Sequence, residues 1–183
     1  MVAAGLSRRQ VVTAMRASVE QVWDWLAEVP DPEIPVISLT ELGVIRDVAW
    51  QGDTLVVTVT PTYSGCPATS IITLDIEAKL RAEGIANLRL QRQLSPPWST
   101  DWIATEAKEK LRAYGIAPPI DGTAVDGVLA GRLHRMTAGA LTVPCPRCQS
   151  ARTEKISQFG STPCKAAYRC RDCLEPFDYF KCI

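Results

Sequence analysis

Two Cys-x-x-Cys pairs near the end of the chain constrain its fold more than any other feature. Cys145 and Cys148 form the first pair, Cys170 and Cys173 the second, and 21 residues separate them. Four thiolates in two close pairs satisfy a tetrahedral metal with no open position, as in a structural zinc site. The spacing predicts a zinc ribbon with each pair at the tip of a β-hairpin. Rubredoxin-type iron and two redox dithiols are the alternatives that the spacing leaves open.

Cysteine usage and charge narrow the class of protein. The chain has 183 residues, seven cysteines and a formal net charge of zero. An odd number of cysteines, clustered at metal spacing, argues against a secreted disulfide framework. No signal peptide or membrane span is visible, so we expect a cytoplasmic chain. Neutral charge offers no long-range attraction to nucleic acid.

Hydrophobic periodicity upstream of the cysteine pairs predicts helices and strands in alternation. Apolar residues at helical spacing predict a first helix from about Arg8 to Glu28, with a capping box at Ser7 and Gln10. Two β-branched segments, 44–50 and 55–60, predict a hairpin around a Gly-Asp turn.

The following segment predicts helix, strand and helix. A helix begins at about Ala68 and ends at Gly84, and Leu88 and Leu90 mark a third strand. The last helix ends at Gly115, and its predicted buried face consists of Ile103, Ala107, Leu111 and Tyr114.

This order of elements predicts an α+β fold, with helices on one face of a small mixed sheet and a zinc-ribbon β-hairpin module after it. We predict three segments. Residues 6–118 form the α+β domain, 119–142 a connector rich in Gly, Ala and Pro, and 143–183 the zinc ribbon.

Cys66 is the single residue best suited to chemistry. It lies in a Gly-Cys-Pro turn after a predicted strand and before a predicted helix. Backbone N–H groups and the helix dipole at such a position stabilise thiolate, the form that binds metal or attacks disulfides. A small buried side chain that fills a turn is the alternative.

Polar residues around Cys66 and upstream of it are candidate partners. Asp31 and Glu33 lie in a proline-stiffened segment, where their carboxylates could bind iron, orient a partner or simply be solvated. Thr60 and Ser64 flank Cys66 and could donate to a thiolate or a cluster sulfur, or serve as turn residues.

The remaining candidates are weaker. Cys164, between the two pairs, is a possible auxiliary thiol or a structural residue, and Cys182 is predicted to be a free or buried thiol. His134 is the only histidine, so a His-rich catalytic metal centre is excluded and a Cys–His dyad is weakly supported. The chain also lacks Walker and dinucleotide-binding motifs.

Three segments resemble the small domain shared by iron–sulfur assembly factors of the SufT type. They are Asp31-Pro32-Glu33-Ile34-Pro35, Leu42-Gly43-Val44-Ile45 and Thr60-Pro61-Thr62-Tyr63-Ser64-Gly65-Cys66-Pro67. Three more are similar to the PaaD (or PaaJ) family of aerobic phenylacetate degradation. They are Trp98–Ile103, Lys110–Pro118 and Phe159–Lys165.

The resemblance implies an accessory role beside the multicomponent phenylacetyl-CoA epoxidase, a monooxygenase with a di-iron oxygenase and a reductase that carries a [2Fe–2S] cluster. It implies reductase and oxygenase partners, transient iron or [2Fe–2S] cargo, and no catalytic residue or turnover of the chain's own. Cys66 corresponds to the family's reactive cysteine, and Asp31 and Glu33 to its acidic motif. The four paired cysteines correspond to zinc ligands, and a homodimer stays open.

Three other functions stay open. A stoichiometric structural subunit of the epoxidase would need no metal transfer. A zinc-ribbon nucleic-acid binder conflicts with the near-neutral charge. A thiol oxidoreductase that uses Cys170 and Cys173 conflicts with zinc on the same thiolates.

Overall fold

The computed structural model describes residues 16–120 and 142–181. Its first helix, α1 (Val19–Ala27), begins after Ser18, which forms a reciprocal capping box with Gln21. The prediction of a helix from Arg8 is therefore wrong for residues 16–18. Ser18 is the N-cap and has extended backbone angles, so the helix begins only after it. The capping box predicted at Ser7 lies outside the described residues.

A three-stranded mixed sheet follows α1. Strands β1 (Ile45–Gln51) and β2 (Thr54–Val59) form the predicted antiparallel hairpin. Strand β3 (Leu88–Arg92) pairs in parallel with β2, so the order is β1-β2-β3. Helix α2 (Thr69–Ala82) provides the crossover that parallel pairing requires.

One core joins the sheet to the helices. The apolar positions of β2 share a hydrophobic cluster with residues from all three helices. Helix α3 (Thr105–Tyr114) buries Ala107 and Leu111. Its predicted face is partly wrong, because the chain enters a turn of 3-10 helix at Thr100–Trp102, which leaves Ile103 buried ahead of the helix and Tyr114 51 % exposed beyond the core.

A second sheet contains the cysteine pairs. Strands β5 (Thr153–Ser157), β6 (Lys165–Cys170) and β7 (Pro176–Phe180) are antiparallel neighbours. The two-residue strand β4 (Ile116–Ala117), directly after α3, pairs in parallel with β7. The sequence did not predict this strand, which adds the end of the first module to the ribbon sheet.

The ribbon and the first module share the main core. Phe180 and Cys164 belong to the same buried cluster as α1, α2 and the first sheet. The Phe180 ring meets Trp98 edge-on with centroids 6.0 Å apart, and the Trp98 indole N–H donates to the carbonyl of Leu42 at 3.0 Å. The indole ring of Trp98 thus connects Leu42 with Phe180, two residues that are 138 positions apart in the sequence.

Gly43 allows the backbone to pack closely against Trp102. Its φ is +72°, and a Cβ there would lie 2.7 Å from the Cβ of Trp102. A side chain at this position would therefore be strained and would also overlap a neighbour. The structure explains why the Leu42-Gly43-Val44 segment carries a glycine at its centre.

Candidate functional site

The four paired cysteines meet at one end of the ribbon sheet. The first pair lies in the turn before β5, and the second in the turn between β6 and β7. Their sulfur atoms all lie within 4.8 Å of one another. Two sulfur–sulfur distances are 3.7 Å, between Cys145 and Cys173, and 3.5 Å, between Cys148 and Cys170.

These distances fit tetrahedral zinc. A Zn–S bond of about 2.3 Å requires sulfur atoms about 3.8 Å apart in a regular tetrahedron. All four donors are sulfur and no donor position is left open, which suits a structural ion rather than a catalytic one. The donor set of the ribbon therefore fits the metal predicted from the spacing.

Close packing separates the acidities of the thiols. The backbone N–H of Cys173 and the neighbouring thiols lower the pKa of Cys170 to about 7. The backbone N–H of Glu175 lowers the pKa of Cys173, but desolvation and hydrogen bonds with the other three thiols outweigh it and raise that pKa to about 12. Four thiols this close resist full ionisation together, and a divalent cation relieves that repulsion.

The Cys66 loop forms a tight turn in front of α2. The Cys66 N–H donates to the carbonyl of Tyr63 at 3.1 Å. The Cys66 carbonyl accepts from both the N–H and the hydroxyl of Thr69, the first residue of α2, at 3.3 and 2.8 Å. The predicted helix start is confirmed to within one residue, and the half-buried thiol is held just before the helix.

The acidic segment folds into a turn around Asp31. Its Oδ1 accepts from the N–H groups of Glu33 at 2.9 Å and Ile34 at 2.8 Å. Burial raises the pKa of Asp31 in spite of these two hydrogen bonds. Asp31 is 6 % exposed, so its carboxylate shapes the turn and presents the Glu33 side chain, which stays accessible.

A small cavity of about 20 Å³ brings the acidic segment and the Cys66 loop together. Asp31, Glu33 and Cys66 line it, as do Cys164 and Phe180 of the ribbon. The Cys164 thiol donates to Glu33 Oε2 at 3.6 Å and contacts the Thr162 hydroxyl at 3.0 Å. Cys164 therefore lies at the Cys66 site and not at the cluster of paired cysteines.

Burial and neighbouring charge distinguish this site electrostatically. Burial, reinforced by Glu33, raises the pKa of Cys164 to about 11, although the Thr162 hydroxyl opposes the shift. Burial also raises the pKa of Tyr63, with further contributions from Cys66, Cys164 and Glu33. The pKa of the Tyr63 hydroxyl thus depends on the charge of all three of these groups.

The other predicted site residues have different surroundings. Ser64 is exposed at the tip of the loop, and the Thr60 hydroxyl is buried without a hydrogen-bond partner among the described residues. Neither residue lines the cavity. His134 and Cys182 lie outside the described residues.

Sequence reasoning missed the position of Cys164. The only signal was its turn, Ser161-Thr162-Pro163-Cys164, which differs from the spacing of the paired cysteines. Pairing of β6 with β7 brings Cys164 beside Lys181, whose N–H donates to the Cys164 carbonyl at 3.0 Å. Phe180 of β7 packs on Trp98, and in this arrangement the Cys164 thiol lies within 3.6 Å of Glu33 Oε2.

Two family models match separate parts of the chain. Residues 19–86 match the family described as "Iron-sulfur cluster assembly protein", and residues 131–181 match the "PaaD zinc beta ribbon domain". The chain is 44 % identical over 175 residues to a putative 1,2-phenylacetyl-CoA epoxidase subunit of Escherichia coli (strain K12), covering 96 % of this chain and 99 % of that protein. The chain belongs to the PaaD family.

Two further relatives each cover about half of this PaaD family member. The "Fe-S protein maturation auxiliary factor" of Porphyromonas gingivalis (strain ATCC BAA-308 / W83) is 34 % identical over 94 residues, which cover 50 % of this chain and 89 % of that protein. The crystal structure of a "Domain of Unknown Function DUF59" from Bacillus anthracis matches with a TM-score of 0.47 and 28 % identity, over 51 % of this chain and 90 % of that one. Within the described residues no helix has the length and apolarity to cross a membrane.

Proposed function

We propose that this chain is an accessory factor of the phenylacetyl-CoA epoxidase system that helps to assemble iron or a [2Fe–2S] cluster in its reductase or oxygenase component. The epoxidase relative and the iron–sulfur maturation relative support this role. The observation that carries it is the meeting of Cys66 and Glu33 on one small cavity. The proposal includes the cytoplasmic location expected from the sequence.

Cys66 is the proposed cargo ligand, and Glu33 is the proposed second donor. Thiolate and carboxylate both bind iron, and thiolates hold iron–sulfur clusters. Asp31 would act by shaping the turn that presents Glu33, since its Oδ1 accepts from the N–H of Glu33. Thr60 and Ser64 remain proposed contributors to the loop rather than to the cavity.

An incomplete ligand set suits transfer. Among the described residues, the four paired cysteines are the only group of three or more potential metal ligands whose donor atoms all lie within 4.8 Å of one another. A closed four-thiolate site retains its metal, whereas Cys66 and Glu33 leave coordination positions for a client protein to occupy. We assign zinc, with a structural role, to Cys145, Cys148, Cys170 and Cys173.

An open groove gives a client access to Glu33. The groove has a volume of about 510 Å³ and runs between the two modules. Glu33 lines both this groove and the small cavity, and Lys165, Tyr168 and Phe177 line the ribbon side. The ribbon would therefore serve as a docking surface for the reductase or oxygenase while the first module holds the cargo.

The test is Cys66→Ser in cells that grow on phenylacetate. We expect the [2Fe–2S] content of the reductase, or the iron content of the oxygenase, to fall by more than about tenfold. Even the loss of a residue that only hydrogen-bonds to a metal ligand lowers metal affinity or activity by about tenfold or more. Iron and sulfide per purified component provide the measurement. Ser70→Ala, on the exposed first turn of α2, is the control. Normal metal content with Cys66→Ser would rule out this role for Cys66.

A structural component of the epoxidase is the second candidate, because the Escherichia coli relative is described as a subunit of that enzyme. The two functions differ in an assay with fully metallated components. An assembly factor becomes dispensable once its clients hold their metal, whereas a structural component is still required. Epoxidase activity with and without this chain decides between them.

A further inference from the structure

We infer that Cys164 of the ribbon is a second thiolate ligand for the cargo, so that a borderline divalent cation such as ferrous iron binds between the two modules through Cys66, Cys164 and Glu33. This inference rests on the proposed function, and deepens it by naming a ligand set. It assigns a metal-binding role to a cysteine that neither lies within a Cys-x-x-Cys pair nor belongs to the first module.

The geometry around Cys164 supports this set. Its sulfur lies 3.6 Å from Glu33 Oε2, and both Cys164 and Cys66 line the same cavity of about 20 Å³. That space is sufficient for about one water molecule, and hence for one small ion. Two thiolates and one carboxylate are a donor set that soft and borderline divalent metals accept, and three protein ligands leave a position for a client.

Surrounding residues fix the Cys164 thiol toward the cavity. The Thr162 hydroxyl contacts the sulfur at 3.0 Å, and the Cys164 carbonyl accepts from Lys181 on the neighbouring strand. Cys164 is 6 % exposed, so the thiol is shielded from bulk solvent on the ribbon side. Its accessible neighbours are the groups of the first module, which is where a ligand for cargo is needed.

Charge around the cavity agrees with cation binding. Glu33 and Asp31 contribute two carboxyl groups, and the buried Lys165 contributes one positive charge close to Asp31 and Cys164. Ionisation of both thiols would add two negative charges. A divalent cation would then neutralise the negative charge that Lys165 alone leaves in excess.

The donor atoms are not preassembled. Cys66, Cys164 and Glu33 do not form a triad within 4.8 Å, in contrast to the paired cysteines. A metal would therefore draw the side chains together by small rotations. Binding would be weaker than in the ribbon, and the same rotations would release the ion to a client.

The experiment uses the full chain with zinc already in the ribbon and adds Co²⁺ without oxygen. Co²⁺ is a spectroscopic probe, because thiolate ligands give sulfur-to-cobalt charge-transfer absorption that scales with the number of thiolates bound. We expect one further Co²⁺ per chain in the wild type. In Cys164→Ala and Cys66→Ala the absorption per bound Co²⁺ should fall by about half, with an affinity loss of more than about tenfold.

Thr162→Ala is the matched control, because it removes a contact of the Cys164 sulfur without removing a proposed ligand. It should keep the wild-type absorption per cobalt. Zinc content reports whether the ribbon is intact in every variant, and Cys164→Ser replaces Cys164→Ala if the alanine variant loses zinc.

Equal absorption per cobalt in wild type and Cys164→Ala would overturn the two-thiolate site and leave Cys66 as a lone thiolate ligand. A wild-type chain that binds no Co²⁺ in addition to the ribbon zinc would overturn it as well. Neither result decides the proposed function, which depends on the metal content of the epoxidase components with Cys66→Ser. A failure of the ligand set and a failure of the assembly role are therefore distinguishable.

Discussion

Asp31 shows how one buried carboxyl can shape a site that another carboxyl occupies. Its Oδ1 accepts two backbone N–H groups, and burial makes its charged form unfavourable. Glu33, which follows in the same turn, stays accessible and contacts Cys164. The two members of the acidic motif therefore have different physical roles, the first positioning and the second available to a ligand.

Asp31→Asn tests this division at the scale of the residue. An amide oxygen can accept the same two hydrogen bonds without a charge to bury, so we expect the free energy of unfolding near pH 7 to equal or exceed that of the wild type. Asp31→Ala, which loses both hydrogen bonds, should cost about 1–3 kcal/mol. Urea denaturation of the three proteins from about pH 3.5 to about pH 8 gives the comparison.

The pH dependence has a defined sign. A carboxyl whose pKa is raised by folding stabilises the fold in its protonated form. That contribution is complete below the unfolded pKa of about 3.9 and is lost as the pH rises through the higher pKa of the folded state. The advantage of Asn over Asp should therefore grow with pH across this window. A constant difference would contradict the burial of a charged carboxylate.

Among the elements, the ribbon depends most on a bound ion. Its separate apolar cluster is small and consists of eight residues, two of which are the zinc-ligand candidates Cys145 and Cys170. Tyr168 stacks on Phe177 and meets Tyr179 edge-on, at 5.8 and 5.7 Å. A module of this size generally requires a metal or a disulfide in addition to its core.

Cys148→Ser should abolish this support. We expect zinc to fall from about one ion per chain toward zero and the aromatic near-ultraviolet signal of the ribbon to collapse, because structural zinc contributes directly to folding. Cys164→Ser is the matched control, a thiol-to-hydroxyl change in the same ribbon but outside the cluster of paired cysteines, and should retain its zinc. Elemental analysis of both variants provides the measurement. Full zinc content in Cys148→Ser would refute the assignment of zinc to the four paired cysteines.

Local sequence patterns predicted the elements more accurately than their contacts. The hairpin and α2 follow from β-branched runs and helical spacing, both of which are local signals. The start of α1 was misplaced because Ser7 and Ser18 offer the same capping pattern, and only tertiary structure decides between them. Strand β4 was missed because two residues are too few to show a period of two.

The sequence predicted the part of the site that lies in the first module better than the part that the ribbon contributes. The Cys66 turn and the acidic segment carry recognisable motifs, but the meeting of Cys164 with Glu33 spans 131 residues. No periodicity encodes a contact of that range. It depends on β7 docking beside Trp98, and an aromatic residue in a strand does not specify which ring it will meet.

At the scale of the whole molecule, Phe180 links the two modules. It is 1 % exposed and packs edge-on against Trp98, whose indole N–H holds the Leu42 carbonyl. Leu42 and Phe180 also line the small cavity. Loss of this ring should therefore affect both stability and the accessibility of the cavity thiols.

Phe180→Ala should lower the free energy of unfolding by about 3–5 kcal/mol. It should also speed alkylation of Cys164 in the zinc-loaded chain, because the cavity loses one wall. Phe159→Ala is the matched control, since that ring is 64 % exposed and its loss should change stability by about 0.5 kcal/mol or less. Denaturation and mass-resolved alkylation provide the measurements. Unchanged protection of Cys164 in Phe180→Ala would contradict a shared wall.

The shared cavity also sets an order of events during biosynthesis. Of the residues that line it, Asp31 comes first along the chain and Phe180 comes last. At the usual elongation rate, the ribosome adds Phe180 about ten seconds after Cys66. Until then the nascent chain presents Cys66 and Glu33 without the ribbon that covers them. The proposed capture of cargo through both modules would therefore wait until translation has passed residue 180, and a chain halted earlier would offer only the first module's part of the proposed site to cellular iron.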